Sequence, residues 1–295
     1  MKLTIGLPVF NAEKYIEDAI LSIKAQTFKD WECIIIDDGS TDNSLSIIRE
    51  IVDNRFLVVS DGENKGLVYR LNQIVDLASG KYIARMDSDD VMHPERLTKQ
   101  IKVLDSNPNI DLVSTLKYSI DLKNYVHGRS YYKSASNIEY EILKSGYFIH
   151  ASVMSRLNWS QRYRYSDRFL RAEDRQLFIS GIKSENSYVI PEPLYYYREI
   201  GDINQKKYIE SYLGELKVLV KFGVWKIGFL KTVGLLCRLV AKSVFILIVF
   251  TFNLQKRLKA RHNLNNYESM EATVYLSKFL NDERHRTDFT IPEYR

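Results

Sequence analysis

Cysteine is almost missing from this chain. Cys33 and Cys237 are the two in 295 residues, far apart and in unlike settings, so neither a disulfide framework nor a zinc-ligand spacing exists and a reducing compartment is expected. A secretory leader is not expected either, because the apolar stretch from Leu3 to Phe10 is too short, contains Pro8, and runs directly into Asn11 and Glu13. Acidic residues vanish over one long interval. Between Glu215 and Glu268 there is none, while ten Lys and Arg residues fall there; taken from a total of +5, they leave the rest of the chain at −5. No apolar run suffices to cross a bilayer unaided. The longest in that basic interval, Ser243 to Gln255, reaches only roughly 20 Å as a helix, against a hydrocarbon core of about 30 Å.

What the chain does have is crowded carboxylates at the ends of apolar runs. Tyr82-Ile83-Ala84-Arg85-Met86 stops at Asp87-Ser88-Asp89-Asp90, three acids in four positions. Charges of one sign so close raise one another's pKa unless a cation lies among them. Oxygen-only ligands suit a hard ion, Mg2+ or Mn2+, that completes its shell with water and substrate phosphates. A metal-diphosphate site is the functional reading; a solvated acidic turn is the plain one. A second run, Glu32-Cys33-Ile34-Ile35-Ile36, stops at Asp37-Asp38-Gly39-Ser40 in the same manner. Gly39 and Ser40 form turns and Asp42 can cap a helix, yet two adjacent acids exceed what a turn needs.

These runs read as strands buried on both faces, together with Leu3 to Phe10. Apolar residues at Ile16, Ala19, Ile20 and Ile23 mark a helix from Tyr15 to Ile23, and Ser44 to Ile51 behaves similarly. Strand and helix alternate from the start, which predicts an α/β parallel sheet whose ligands bind beyond the carboxyl ends of the strands. Both acidic clusters fall at such ends.

The composition divides the chain at residue 205: a sheet domain over 1–205 and a basic, apolar helical extension over 206–295. Cations flank both ends of the uncharged run, so both ends are expected on the cytoplasmic side, with the segment lying in or dipping into an anionic inner leaflet. A core helix covering the sheet is the alternative. Nucleic acid is not an expected partner, since phosphate-tracking patches interleave basic with aromatic and polar residues rather than bare aliphatic sequence. One more helix is expected from Glu268 to Leu280.

In order along the chain stand Pro8-Val9-Phe10-Asn11-Ala12-Glu13, Asp37-Asp38-Gly39-Ser40-Thr41-Asp42, Asn64-Lys65-Gly66-Leu67 with Leu71-Asn72, Arg85-Met86-Asp87-Ser88-Asp89-Asp90 followed by Pro94-Glu95-Arg96-Leu97, and Glu173-Asp174. This set, covering residues 1 to about 200, resembles a family 2 glycosyltransferase with the type A nucleotide-sugar-binding fold, a Rossmann-like, mostly parallel sheet flanked by helices. The resemblance implies inverting transfer of one sugar from a nucleoside diphosphate to an acceptor hydroxyl. It assigns donor binding to Pro8, Val9, Glu13, Asp37, Asp38, Asn64, Gly66, Asn72, Arg85, Asp87 and Ser88. It assigns the ion to Asp89, with Asp87 facing the ribose or a metal-bound water, and the catalytic base to Asp174. Glu173 and Asp174 also suit the first turn of a helix. His150, placed on a strand of the acceptor side, is a site residue or a satisfied core histidine. Arg198 reaches the departing diphosphate from a mobile loop or forms a surface ion pair. Sugar discrimination is expected in loops such as Tyr118 to Ser136. The Gln-x-x-Arg-Trp signature of processive relatives is absent, which implies one sugar per encounter, and Leu71 stands where the family usually has Arg, leaving Arg70 without an assigned role.

Asp87-Ser88-Asp89-Asp90-Val91 also fits the motif of haloacid-dehalogenase-type phosphatases, but that family carries it on its first strand and here it follows about the fourth. A non-catalytic sugar-nucleotide binder is the other alternative. The expectation is a metal-dependent transferase of bacterial surface polysaccharide synthesis at the cytoplasmic face of the membrane, with a glycan or polyprenyl-diphosphate-linked acceptor.

Overall fold

A computed structural model describes residues 2–199, 205–252 and 264–288. Four parallel strands form its first half: β1 (Leu3–Val9), β2 (Trp31–Asp37), β3 (Phe56–Ser60) and β4 (Tyr82–Arg85), in the order β3-β2-β1-β4. The helices between them are α1 (Ile16–Lys24), α2 (Ser44–Ile51) and α3 (Leu67–Leu77). Continuous aliphatic strands need cover on both faces. Ile5, Leu7 and Ile35 pack with Ile16, Ala19, Ile20 and Ile48 on one side, while Ile34, Ile36 and Ile83 meet Ile74 and Val75 of α3 on the other. A Cβ on Gly6 would stand 2.5 Å from Ile74, so glycine lets α3 seat directly on β1.

The second half is not parallel. After β5 (Val91–Met92) and α4 (Arg96–Ser106), the strands β6 (Leu112–Ile120), β7 (Val126–Arg129), β8 (Met154–Arg156) and β9 (Ser187–Arg198) extend the sheet as β4-β8-β6-β9-β5, with β7 on β6. Of these pairings only β6 with β9 is parallel. The sheet is therefore mixed, with α5 (Ile138–Ser145), α6 (Leu157–Arg162) and α7 (Glu173–Gly181) against it. The stretch Tyr118 to Ser136, expected as loop, begins as the β6–β7 hairpin, whose turn is only Asp121 to Tyr125. Neither strand shows alternating burial, and β7 has only four residues, so no period of two marks the hairpin in the sequence.

The C-terminal part contributes α8 (Gln205–Ile227), which begins one residue before the expected boundary, α9 (Phe229–Thr251) and α10 (Asn266–Asp288). Val218 and Leu219 of α8 and Leu235 and Leu239 of α9 share a core with α5 and α7, and Leu276 and Leu280 of α10 pack on Leu21, Val91, Ile120 and Val126. A Cβ on Gly214 of α8 would lie 2.5 Å from the Leu170 carbonyl oxygen and 3.1 Å from Ala172 Cβ, so α8 rests directly on the strap before α7.

Ser243 to Thr251, the described helical part of the uncharged run Ser243 to Gln255, is the second half of a longer helix. α9 starts at Phe229, and it is the one helix among the described residues long and apolar enough to cross a membrane. Its charges mislead the eye in sequence: Lys231, Arg238 and Lys242, seven and four residues apart, follow a single flank of the helix. The bare face, with Leu230, Val233, Val240, Val244 and Ile248 exposed, carries no charge. Asn253 to Gln255 and the cations Lys256, Arg257, Lys259 and Arg261 lie outside the described residues.

Candidate active site

The carboxyl ends of β1, β2 and β4 meet where the strand order turns back, the usual crevice of an open α/β sheet. A cleft of about 560 Å³ lies there. Of the residues expected to hold a donor, Pro8, Val9, Asp38, Asn64, Gly66, Arg85, Asp87, Ser88 and Asp89 line it. Asn11, Tyr15 and Arg70 line it too and were not foreseen. Glu13, Asp37 and Asn72 stand outside. Glu13 Oε2 accepts the Asn43 amide N–H, which ties the loop after β1 to the start of α2. Asp37 accepts from the Ser40 amide and the Ser60 hydroxyl. The Asn72 side chain is held between the Tyr165 backbone and Arg164.

Asp38 is fixed by three donors: the amides of Lys65 and Gly66, at 2.8 and 3.0 Å, and Arg70 Nε at 2.7 Å. Gly39 follows it at φ 73°, where a Cβ would strike the backbone of Glu63 and Asn64, so the two cleft-forming loops touch through glycine. Arg70 is fully buried and also grips Asp61 with both terminal nitrogens, and these hydrogen bonds raise its pKa further. One side chain on a helix thus knits β2 to the 61–66 loop. Its partners lie nine and 32 residues away, so the motif comparison left it without a role.

Oxygens of Asp87, Asp89 and Asp90 lie within 4.8 Å of one another. Burial, then the Asp87 charge, pushes Asp89 up to about 6. Asp90 is 1% exposed and is pushed well above the carboxylate range by burial and by both neighbours. Its Oδ1 accepts the Arg198 amide at 2.7 Å, and its Oδ2 is buried without a partner. Three mutually repelling carboxylates with an orphaned oxygen fit a hard divalent cation. Arg85, at the end of β4, takes both oxygens of Asp87 in its fork.

Beside this cleft, and sharing Gly66 and Leu67 with it, opens a second of about 960 Å³. Glu173 lines it along with Leu170, Arg171, Leu213 and Lys217. Burial raises the Glu173 pKa, and its Oε2 is buried with no hydrogen-bond partner. Asp174, next to it in the first turn of α7, turns one oxygen to the Arg175 amide at 2.7 Å. Tyr165 also lines this second cleft; its hydroxyl meets His150 Nε2 at 2.8 Å, and it feels the charges of Arg85, Asp174, Asp87 and Glu173.

Two expectations change here. His150 lies not on a strand but in a 3-10 turn, His150–Ser152, because the chain must bend before β8. Burial, with Arg85 adding to it, drives its pKa well below the usual value, so the ring is neutral. Arg198 is not on a mobile loop. It ends β9, is 3% exposed, and donates to the carbonyls of Asp89 and Asp121 and to Asn124.

The family model for glycosyl transferase family 2 matches residues 4–170. An uncharacterised glycosyltransferase of Methanocaldococcus jannaschii is 32% identical over 206 residues, which is 66% of this chain and 70% of that protein. The UDP-Glc:alpha-D-GlcNAc-diphosphoundecaprenol beta-1,3-glucosyltransferase WfgD of Escherichia coli is 31% identical over 184 residues, 62% of this chain and 71% of that one. Among solved structures, S. aureus TarS 1-349 in complex with UDP-GlcNAc superposes with a TM-score of 0.57 at 18% identity, over 99% of this chain and 84% of that one, a likeness of fold.

Proposed function

The chain belongs to glycosyl transferase family 2, and from that premise we propose an inverting transfer of one sugar from a nucleotide-sugar, with UDP as carrier, to an acceptor hydroxyl. The observation that carries this reading is the meeting of Asp87 and Asp89 with Asp38 and the Pro8–Ala12 loop in one cleft. Asp89 and Asp87 would hold Mn2+ or Mg2+. A divalent ion bound there supplies positive charge to a departing diphosphate. Arg85 keeps Asp87 oriented, and Asp38 with Asn64 and Gly66 offers polar groups to a nucleoside.

The neighbouring cleft is read as the acceptor side. In this reading Asp174, next to the lining residue Glu173, takes the acceptor proton, the acceptor oxygen bonds to the anomeric carbon, and the bond to the diphosphate oxygen breaks with its electron pair leaving on the diphosphate. The Asp174 role follows from its place in the motif order. One observation favours a second reading, with Glu173 as base: it is Glu173 that lines the cleft with an unpartnered oxygen.

For the acceptor we adopt a lipid-linked glycan, the class WfgD's name specifies, in surface polysaccharide synthesis of the O-antigen or capsule type. Support on this chain is the cleft's apolar Leu67, Leu170 and Leu213 beside Lys65 and Lys217, with Arg171 paired to Glu210 and the acids Asp167 and Glu173 also in the lining. Support for a membrane is α9, whose bare apolar face opposes the one packed on the protein. With Lys231, Arg238 and Lys242 along one flank, α9 is read as lying in the cytoplasmic leaflet.

The test is a thermal-shift series of nucleotide-sugars with and without Mn2+, followed by transfer assays on the stabilising donor. One donor is expected to raise Tm strongly only with the ion, since ligand stabilisation grows with the logarithm of saturation. Hydrolysis of p-nitrophenyl phosphate with no donor-dependent shift would overturn the reading in favour of a phosphatase.

A further inference from the structure

The C-terminal helix is joined to the carboxylate loop by an unbroken run of hydrogen bonds. Arg284 of α10 donates from Nη2 to Asp18 Oδ1 at 3.0 Å and from Nε to Glu17 Oε1 at 2.7 Å, both acids in the first turn of α1. The other oxygen of Asp18 accepts from Asn124 Nδ2 at 2.8 Å. Asn124 sits in the β6–β7 turn with φ 65° and accepts from Arg198 Nη2 at 2.6 Å. Arg198 then donates from Nε to the Asp89 carbonyl and from its amide to Asp90 Oδ1, each at 2.7 Å.

Apolar packing follows the same route. Val91, the residue after Asp90, is buried with Leu276 and Leu280 of α10 and with Ile120 and Val126 on either side of the turn. Thr273 Oγ1 of α10 also accepts the Val126 amide at 2.9 Å. The loop therefore has α10 behind it both as packing and as polar contact.

This matters because the loop cannot hold its own shape cheaply. Asp87, Asp89 and Asp90 repel one another when ionised, and keeping three oxygens within reach of one ion requires the backbone to be clamped from outside. Arg198 is that clamp, since it takes hold of Asp89 and Asp90 at once. Its fork is in turn aimed by Asn124, which is aimed by Asp18, which α10 fixes through Arg284.

We propose that α10 is a positioning element for the divalent-cation site, acting through Arg284, Asp18, Asn124 and Arg198 on Asp89 and Asp90. The inference rests on the cation reading of those carboxylates. It gives the C-terminal helix, whose purpose nothing in its sequence declared, a role in ion affinity.

The experiment is Mn2+ binding to the full chain, measured from the paramagnetic resonance signal of the free ion, for the wild type, Asn124→Gly, Arg284→Ala, their double variant and Asp89→Asn. Glycine accepts the positive φ at position 124, so Asn124→Gly removes the side-chain link and leaves the turn. Groups that orient metal ligands are worth about 10- to 100-fold in affinity, and further along the run each single variant is expected to raise Kd about five- to tenfold. The double variant is expected to match the weaker single, because cutting one run twice cuts it once. An unchanged Kd in Asn124→Gly, whatever happens to Tm, overturns the proposal, as does full multiplication of the two effects. If the wild type binds no Mn2+ and Asp89→Asn changes nothing, the cation reading itself falls, a result distinct from either.

Discussion

Arg85 holds both carboxylate oxygens of Asp87, with Nη2 at 2.6 Å from Oδ1 and Nη1 at 3.1 Å from Oδ2, while its own Nε is buried without a partner. A two-point grip of this kind sets direction as well as charge, which lysine cannot reproduce. Arg85→Lys is expected to fold and to bind nucleotide-sugar with Mn2+ about tenfold more weakly, the scale of one charge-assisted bond at roughly 1.5–3 kcal/mol. Calorimetric titration checks this, and undiminished affinity would remove Arg85 from the donor site.

Arg70 is the clearest stability prediction. Removing one partner of a buried ion pair leaves the other uncompensated, at a cost of about 3–5 kcal/mol. Arg70→Met strands Asp38, so the urea midpoint should fall by that measure. A drop under about 1 kcal/mol, the ordinary worth of an exposed pair, would show that Asp38 finds other partners.

The two acids opening α7 are separable. If Asp174 is the base, Asp174→Asn loses about 100- to 10,000-fold in kcat with donor affinity intact, the usual contribution of a positioned base, and Glu173→Gln loses far less. The reverse order would transfer the role to Glu173. Both variants are isosteric, so circular dichroism should not distinguish them.

On the proposed reading, protons and a cation compete at Asp89. Because its folded pKa is about 6, above the ordinary carboxylate value of 3.8, the group contributes stability that is complete below about pH 4 and is lost as pH rises through 6. In ion-free protein the stability of the wild type relative to Asp89→Asn should therefore decline by roughly 3 kcal/mol between pH 4 and pH 7. Mn2+ should reverse that decline, and its affinity should weaken about tenfold per pH unit below 6. A pH-independent difference between the two proteins would contradict the burial that raises the group.

The bare face of α9 can be tested without touching the core. Val240 and Ile248 are exposed, so Val240→Glu and Ile248→Glu should leave Tm within about 0.5 kcal/mol equivalent of the wild type, as surface changes do. Each should weaken sedimentation with anionic vesicles about tenfold, since burying such a side chain contributes roughly 1.5–3 kcal/mol. Unaltered vesicle binding would return α9 to an ordinary covering helix.

Much of the donor cleft was legible because parallel strands buried on both faces read as uninterrupted aliphatic runs, and an acid closing such a run stands out. Asp38, Asp87 and Asp89, which line the cleft, stand out that way; so does Asp37, which lies outside it. What escaped notice acts across long separations. Arg70 has no assignable role until Asp38 and the 61–66 loop close around it, and Arg198 reads as a loop cation until Asp89, Asp121 and Asn124 surround it. The mixed half of the sheet was hidden for a related reason: β5, β7 and β8 have two to four residues each, too few for any periodicity to register. α9 was underestimated because its cations, scattered in sequence, collect on one flank only when wound.

Gly214 leaves no side chain between α8 and the strap of Leu170 to Ala172, and that strap, bent through Arg171 at φ 66°, leads straight into Glu173 and Asp174. With backbone bearing on backbone there is no soft layer to absorb a tilt. A side chain at position 214, even the methyl of alanine, would therefore have to lift α8 off the strap and so shift the backbone that carries Glu173 and Asp174.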